Sequence, residues 1–178
     1  TPCYNEEAVI EETIKEIKKY STAINNTDIL VIDDGSTDNT LKIVKENNIQ
    51  NIISHKSNLG LGFAFQSGLN FAKKNGYDFL INLDADNQYK PEFIKVLLDT
   101  IKDKNYDIVV GCRDFGEIKH FSNLKKKLQK LGSWVVRIIS GQKITDASSG
   151  FRVYSKKAIN EIKCTSKFSY TLDTIIQA

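Results

Sequence analysis

The most informative stretch of this chain is Phe79-Leu80-Ile81-Asn82-Leu83-Asp84-Ala85-Asp86-Asn87-Gln88, in which an apolar strand runs into two carboxylates. Side chains alternate in extended backbone, so Asp84 and Asp86 can point the same way where the strand ends. Two carboxylates so close repel each other unless a cation lies between them. Oxygen ligands suit Mg²⁺ or Mn²⁺, which keep positions open for phosphate oxygens. The alternative is an acidic loop that caps the helix that Pro91 begins.

Strands and helices alternate on both sides of this segment. Apolar residues recur with a helical period between short apolar runs, and the predicted strands cover residues 29–32, 51–54, 79–81 and 107–111. Such alternation with short connections predicts an α/β fold with a mostly parallel sheet and helices on both faces. Ligands of these sheets bind beyond the carboxyl ends of the strands.

Composition limits the remaining classes of protein. The chain has 178 residues, of which 40% are hydrophobic and 26% charged, and a net charge of +3, as expected for one globular domain. Three scattered cysteines and two histidines argue against a disulfide framework and a zinc site. No apolar run reaches the about 18 residues of a membrane span. We expect residues 1–178 to form a single catalytic domain, truncated at both ends.

A second acidic turn follows the strand at residues 29–32. Its sequence is Asp33-Asp34-Gly35-Ser36-Thr37-Asp38. A carboxylate here can accept hydrogen bonds from a nucleotide base or from ribose hydroxyls. The alternative is that Asp33 and Asp38 satisfy turn and helix N-terminal amides. The glycines at 60 and 62 do not make a dinucleotide fingerprint, because Phe65 stands where the third glycine is needed.

Five motifs in a fixed order carry a family resemblance. They are Pro2-x-Tyr4-Asn5-Glu6, Val31-Ile32-Asp33-Asp34-Gly35-Ser36-Thr37-Asp38, Asn58-Leu59-Gly60-Leu61-Gly62, Asp84-Ala85-Asp86-Asn87-Gln88 and Asp146-Ala147-Ser148-Ser149-Gly150-Phe151-Arg152. Together they resemble the inverting glycosyltransferases of GT-A fold. Within that group the set is most similar to the dolichyl- and polyprenyl-phosphate mannosyltransferases, and the similarity spans essentially the whole chain.

The resemblance implies a GDP- or UDP-linked sugar donor and Mg²⁺ or Mn²⁺ as cofactor. It implies metal binding by Asp84, Asp86 and Gln88. It implies nucleotide-sugar binding by Pro2, Tyr4, Glu6, Ile32, Asp34, Asp84, Ala85 and Arg113. It implies catalytic roles for Asp86, Asp146 and Arg152, although Arg152 could either bind an acceptor phosphate or only support its loop.

Residues 122–140 predict an amphipathic helix with lysines and a central Trp134. Such a helix suits an anionic lipid surface, but a single apolar stripe also fits ordinary packing on the domain. The resemblance favours the membrane, and implies a cytoplasmic protein bound peripherally at the cytoplasmic face. Nucleic-acid binding is disfavoured, because the basic residues cluster without an aromatic stacking platform.

Three functions stay open from the sequence. In the first, a sugar moves from a nucleotide diphosphate to a polyprenyl or dolichyl phosphate, with inversion at the anomeric carbon. In the second, the acceptor is a hydroxyl of a polysaccharide or lipopolysaccharide, and Asp146 becomes the candidate general base. In the third, the chain is a non-catalytic module that binds nucleotide sugars.

Overall fold

The computed structural model describes residues 1–86, 88–112, 132, 134, 136–138, 140–142 and 144–177. The helices are α1 Ile10–Ser21, α2 Thr40–Glu46, α3 Leu61–Asn75, α4 Ile94–Lys104, α5 Lys156–Glu161 and α6 Thr171–Ile176, with a short 3₁₀ helix at Pro91–Phe93. The strands are β1 Pro2–Cys3, β2 Leu30–Asp33, β3 Asn51–Ser54, β4 Phe79–Asn82, β5 Ile108–Val110 and β6 Arg152–Ser155. The predicted alternation of strands and helices is confirmed.

The first three strands form a parallel sheet in the order β1-β2-β3. Val31 of β2 is fully buried and packs in a cluster with Ile10 and Ile14 of α1 and Val44 of α2. Since β2 lies between the other two strands, its carboxyl end is fixed from both sides. That end carries Asp33.

The other three strands form a sheet in the order β4-β6-β5, in which β6 is antiparallel to both neighbours. The sequence analysis did not predict β6, and it is the one departure from parallel pairing among the described strands. Val153 of β6 packs with residues of α4, whereas Tyr154 packs with residues of α3 and α5. Helices therefore cover both faces of this sheet, as expected.

Two glycines set the start of α3. Gly60 precedes the helix with φ 101°, a backbone conformation that favours glycine. A Cβ at Gly62 would lie 1.8 Å from the carbonyl oxygen of Ser166, so only glycine permits this contact. The two positions serve a tight turn and a close approach to another segment. They bring residues 58–62 against the loop before α6.

Within the described part of the chain, no helix combines the length and apolar character that crossing a bilayer requires.

Candidate active site

Asp84 follows β4 and is held from inside the protein. The Asn82 side-chain amide donates to the Tyr170 hydroxyl at 2.6 Å, to the Gly150 carbonyl at 2.8 Å and to Asp84 Oδ1 at 3.2 Å. The Tyr170 hydroxyl lies 3.5 Å from the same Asp84 oxygen. Because Asn82 and Tyr170 are buried, they orient this carboxylate before any ligand arrives.

The loop at residues 146–150 lies directly against Asp84. A Cβ at Gly150 would lie 2.0 Å from Asp84 Oδ2, so no larger residue fits without displacing the carboxylate. The Gly150 amide donates to the Tyr89 hydroxyl at 2.9 Å, which fixes the loop from the other side. Two motifs that are distant in sequence therefore meet at one carboxylate.

Carboxylates gather at this edge of the molecule. Burial raises the pKa of Asp84, and the nearby charge of Asp86 raises it further. Partial burial also raises the pKa of Glu6, with further contributions from Asp86 and Asp38. Each of these groups therefore destabilises the ionised form of its neighbours, an arrangement that a divalent cation would relieve.

The oxygen ligands suit a hard cation for which the protein supplies only some of the coordinating atoms. Asp86 Oδ1 accepts a hydrogen bond from the backbone N–H of Gln88 at 3.1 Å, and the Gln88 side chain is exposed. Among the described residues, no group of three or more His, Cys, Asp or Glu side chains could hold a metal ion. Mg²⁺ typically uses one or two carboxylates together with substrate phosphates, so Asp84, Asp86 and Gln88 fit as ligands of an ion that also binds a diphosphate.

Asp34 supports the neighbouring turn. Its carboxylate accepts hydrogen bonds from the amides of Leu59 at 3.0 Å and Gly60 at 2.8 Å, and lies 2.6 Å from His55 Nδ1. His55 Nε2 in turn lies 3.0 Å from the Ser67 hydroxyl of α3. With both oxygens engaged in a buried position, Asp34 fixes the turn at 58–62, and its predicted contact with a nucleotide stays a prediction.

The other two acids of this turn satisfy backbone amides. Asp33 accepts from the Ser36 amide at 3.1 Å, and Asp38 accepts from the Thr40 amide, at the start of α2, at 2.9 Å. The local role considered for Asp33 and Asp38 is confirmed.

The loop at residues 4–6 is tied to the β2–α2 turn. The Asn5 amide donates to Ser36 Oγ at 3.0 Å, and the Glu6 amide donates to Thr40 Oγ1 at 2.8 Å. Tyr4 is 43% exposed, so its ring is accessible for stacking on a planar ligand. Three other predicted nucleotide contacts have buried side chains and can shape a site only from beneath it: Pro2, Ile32 and Ala85.

Arg152 is fully buried and acts as a support. Its guanidinium donates to the carbonyls of Ser149, Ala147 and Thr171, each at 2.7 Å, and to Thr174 Oγ1 at 2.8 Å. All four acceptors belong to the 146–150 loop or to α6. Of the two roles considered for Arg152, the geometry favours support of the loop.

Asp146 is buried at the start of the same loop and accepts from the Ser148 hydroxyl at 3.0 Å. Arg113 and most of the predicted helix at 122–140 lie outside the described residues. Trp134 and Ile138, two described positions of that segment, are 51% and 60% exposed.

The sequence analysis missed His55, Tyr89 and Tyr170. His55 could have been found, because it follows a predicted strand directly and so lies at the carboxyl edge of the sheet. The two tyrosines carry no comparable signal, since long-range packing alone brings their hydroxyls to Gly150 and Asp84.

A cavity with a volume of about 1150 Å³ lies apart from the carboxylates after β4, with residues of both sheets and of α3 in its lining, among them Ile32, Phe65, Leu80 and Ile81. Asp84 and Asp86 do not line it, so we place the candidate site by its side chains at the exposed sheet edge.

Comparisons with known proteins point to one family. The family described as Glycosyl transferase family 2 matches residues 1–163. A UDP-N-acetylglucosamine–dolichyl-phosphate N-acetylglucosaminyltransferase of Methanococcus voltae is 35% identical over 89% of this chain and 68% of its own length. An undecaprenyl-phosphate mannosyltransferase of Micrococcus luteus is 29% identical over 90% of this chain and 67% of its own length.

A solved structure shares the fold. Glucosyl-3-phosphoglycerate synthase from Mycobacterium tuberculosis, in complex with Mn²⁺, UDP and phosphoglyceric acid, superposes with a TM-score of 0.70. It is 19% identical, and the match covers 90% of this chain and 56% of that one. The predicted GT-A type of α/β fold is confirmed.

Proposed function

Because the chain belongs to glycosyl transferase family 2, we propose that it moves a sugar from a nucleotide-diphosphate donor to a polyprenyl or dolichyl phosphate. The observation that carries the proposal is the pair of carboxylates after β4, of which Asp84 is held in place by Asn82 and Tyr170. The lipid-phosphate acceptor is supported by the names of the Methanococcus voltae and Micrococcus luteus relatives.

Asp84, Asp86 and Gln88 would hold Mg²⁺ or Mn²⁺. When bound, the ion would supply Lewis-acid stabilisation of the charge on the departing diphosphate. The chain's own contribution is orientation: Asn82 and Tyr170 hold Asp84 Oδ1, and the Gly150 backbone packs against the same carboxylate. A carboxylate held in this way needs little reorganisation when it binds charge.

The donor's nucleotide would lie over the 4–6 loop and the β2–α2 turn. Tyr4 offers an exposed ring for the base, while Glu6 lies close enough to Asp86 to share its electrostatic environment. Asp34 contributes by holding the turn at 58–62 in place.

The acceptor's chemistry needs little help from a base. A phosphate monoester with a second pKa of about 6 is already largely ionised at neutral pH. Asp146 therefore orients the sugar or the acceptor from the loop that Arg152 supports. For a hydroxyl acceptor, by contrast, Asp146 would have to remove a proton.

Transfer assays with radiolabelled donors test the proposal. Purified protein should label polyprenyl phosphate but not oligosaccharides, and Asp86→Asn should abolish labelling while its circular dichroism stays that of wild type. Labelling of oligosaccharides alone would assign a hydroxyl acceptor. Nucleotide-sugar binding without any transfer or donor hydrolysis would identify a binding module. Full turnover by Asp86→Asn would show that Asp86 is not needed as a metal ligand.

The protein would work at a membrane surface, on its cytoplasmic side, since its acceptor carries a lipid chain. The exposed Trp134 and Ile138 support such contact from the segment at 122–140.

A further inference from the structure

Four exposed apolar side chains lie on two neighbouring segments next to the candidate site: residues 59–63, which include the start of α3, and the loop before α6. Leu59, Leu61 and Phe63 are 42%, 37% and 42% exposed, and Phe168 is 88% exposed. Single exposed apolar residues are ordinary on protein surfaces, but adjacent ones indicate an interaction site. We call these four residues the apolar rim.

The two segments of the apolar rim are in contact. The Gly62 amide donates to the Lys167 carbonyl at 3.4 Å. A Cβ at Gly60 would lie 2.9 Å from Lys167 Cγ, so the lysine side chain passes over this glycine. Phe168 follows Lys167 directly, and it therefore lies beside the turn and the start of α3 that carry the three other members.

The apolar rim borders the candidate site from two directions. The amides of Leu59 and Gly60 donate to Asp34, at the carboxyl edge of the first sheet. Tyr170, two residues beyond Phe168, contacts Asp84. A surface that bound the apolar rim would consequently lie next to the metal-binding carboxylates.

Two lysines accompany the apolar rim. Lys56 and Lys167 are exposed on the two segments that carry it. Of the nearby acids, Asp34 is buried, and the half-buried Asp173 accepts a hydrogen bond from the Ser166 amide at 3.3 Å. Exposed apolar side chains flanked by lysines suit an anionic lipid surface, where the rings enter the acyl boundary and the ammonium groups meet headgroup phosphates.

We propose that the apolar rim inserts into the anionic surface of a bilayer and so brings the carboxylates after β4 to the level of lipid phosphates. The inference rests on the proposed function for its acceptor, but binding to lipid can be measured without any transfer. It involves residues 59–63 and 168 and none of the residues of the segment at 122–140.

Vesicle binding by a double variant tests the proposal. Phe63→Asp with Phe168→Asp should bind vesicles of phosphatidylcholine and phosphatidylglycerol at least about tenfold more weakly than wild type, since two apolar side chains lose their lipid contact. Both positions are exposed, and an acidic residue at the start of α3 is favourable for the helix, so the circular dichroism should be unchanged. Binding by wild type should fall as ionic strength rises.

The matched control is Phe93→Asp with Val96→Asp. These residues are 47% and 57% exposed and lie at the start of α4, on the opposite face of the β4-β6-β5 sheet from α3. The control adds the same charge and also removes two exposed apolar side chains, so it should bind vesicles like wild type. If both double variants bound vesicles equally weakly, the proposal would be overturned, because the change in net charge alone would explain the loss of binding.

Transfer to two acceptors separates this inference from the proposed function. The apolar-rim variant should transfer sugar to a short water-soluble isoprenyl phosphate at the wild-type rate, and to a long-chain polyprenyl phosphate in vesicles about tenfold more slowly. Undiminished vesicle binding by this variant, together with a change in its sedimentation, would make the apolar rim a contact between copies and overturn the proposal. If wild type labels neither acceptor, the proposed function fails, and the vesicle measurements alone decide the role of the apolar rim.

Discussion

At the scale of the residue, two buried tyrosines pack against Phe65 and differ in what their hydroxyls contact. The ring centroids lie 5.2 Å from Phe65 for Tyr154 and 4.1 Å for Tyr170. The Tyr170 hydroxyl bonds to Asn82 and Gly150. The Tyr154 hydroxyl lies near Arg152 and Thr174, but in the described part of the chain it makes no hydrogen bond of good geometry.

Tyr170→Phe should therefore lower the free energy of unfolding by about 1–3 kcal/mol, because buried polar groups lose a partner. Tyr154→Phe should change it by less than about 0.5 kcal/mol, since no hydrogen bond is lost. Urea titrations of both variants measure the difference, and equal losses would contradict this account of the two hydroxyls.

Gly150 offers a second test at this scale. Gly150→Ala places a methyl group 2.0 Å from the present position of Asp84 Oδ2, so the carboxylate must move. In the presence of nucleotide we expect Mn²⁺ to bind at least about tenfold more weakly, a loss of about 1.4 kcal/mol of binding free energy. Isothermal titration calorimetry measures the two dissociation constants. Gly132→Ala is the control, because a Cβ there meets nothing within 4 Å; equal affinities of the two variants would refute the role of Gly150.

Single residues also show where sequence reasoning stops. The acidic motifs could be predicted because carboxylates that follow an apolar run form a local pattern in the sequence. The support role of Arg152 could not be read in that way, because its acceptors at Thr171 and Thr174 depend on where α6 packs. The sequence alone does not distinguish a buried, supporting arginine from one that binds a ligand.

At the scale of the element, β6 and α5 share one residue that organises both. Ser155 ends β6, and its hydroxyl oxygen accepts the Ala158 amide at 3.2 Å as the N-cap of α5. The same hydroxyl lies 3.1 Å from Asp107 Oδ1, next to β5. One side chain thus joins a strand, the next helix and a neighbouring strand.

Ser155→Ala should lower the free energy of unfolding by about 1–2 kcal/mol, the cost of losing an N-cap. Ser155→Thr keeps the hydroxyl and should recover most of the loss. Thermal and urea unfolding monitored by circular dichroism measure both changes. If threonine were no better than alanine, the hydroxyl would not be the stabilising group.

The strands β2, β3, β4 and β5 were predictable from the sequence, whereas β6 was not. Apolar runs such as Leu30 to Ile32 alternate with amphipathic helices, and that alternation implies parallel pairing. The strand β6 follows a motif loop, contains the buried Arg152, and runs antiparallel to β4. Its pairing depends on contacts between distant segments, which a local pattern does not contain.

At the scale of the whole molecule, donor and metal should stabilise the fold together. The carboxylates near Asp86 repel one another in the free protein. A ligand that binds only the folded state raises the melting temperature by mass action. In a panel of GDP- and UDP-linked sugars, we expect the true donor to raise the melting temperature only when Mn²⁺ or Mg²⁺ is present.

A chelator should abolish that rise, because the diphosphate then meets unshielded carboxylates. Asp86→Asn supplies the control, since it removes one metal ligand and should show no metal-dependent rise with any donor. A rise of the same size in this variant would contradict the assignment of Asp86. Differential scanning fluorimetry suffices for the measurement.

The position of β6 has a consequence for biosynthesis. It is the last in sequence of the six described strands, yet it lies in the middle of its sheet. While the ribosome is still translating the residues before Arg152, β4 and β5 have emerged with edges that nothing pairs, and such edges invite association with other nascent chains. We expect this half of the molecule to depend on chaperone protection during translation, whereas the β1-β2-β3 half has all its strands available once Ser54 has left the exit tunnel.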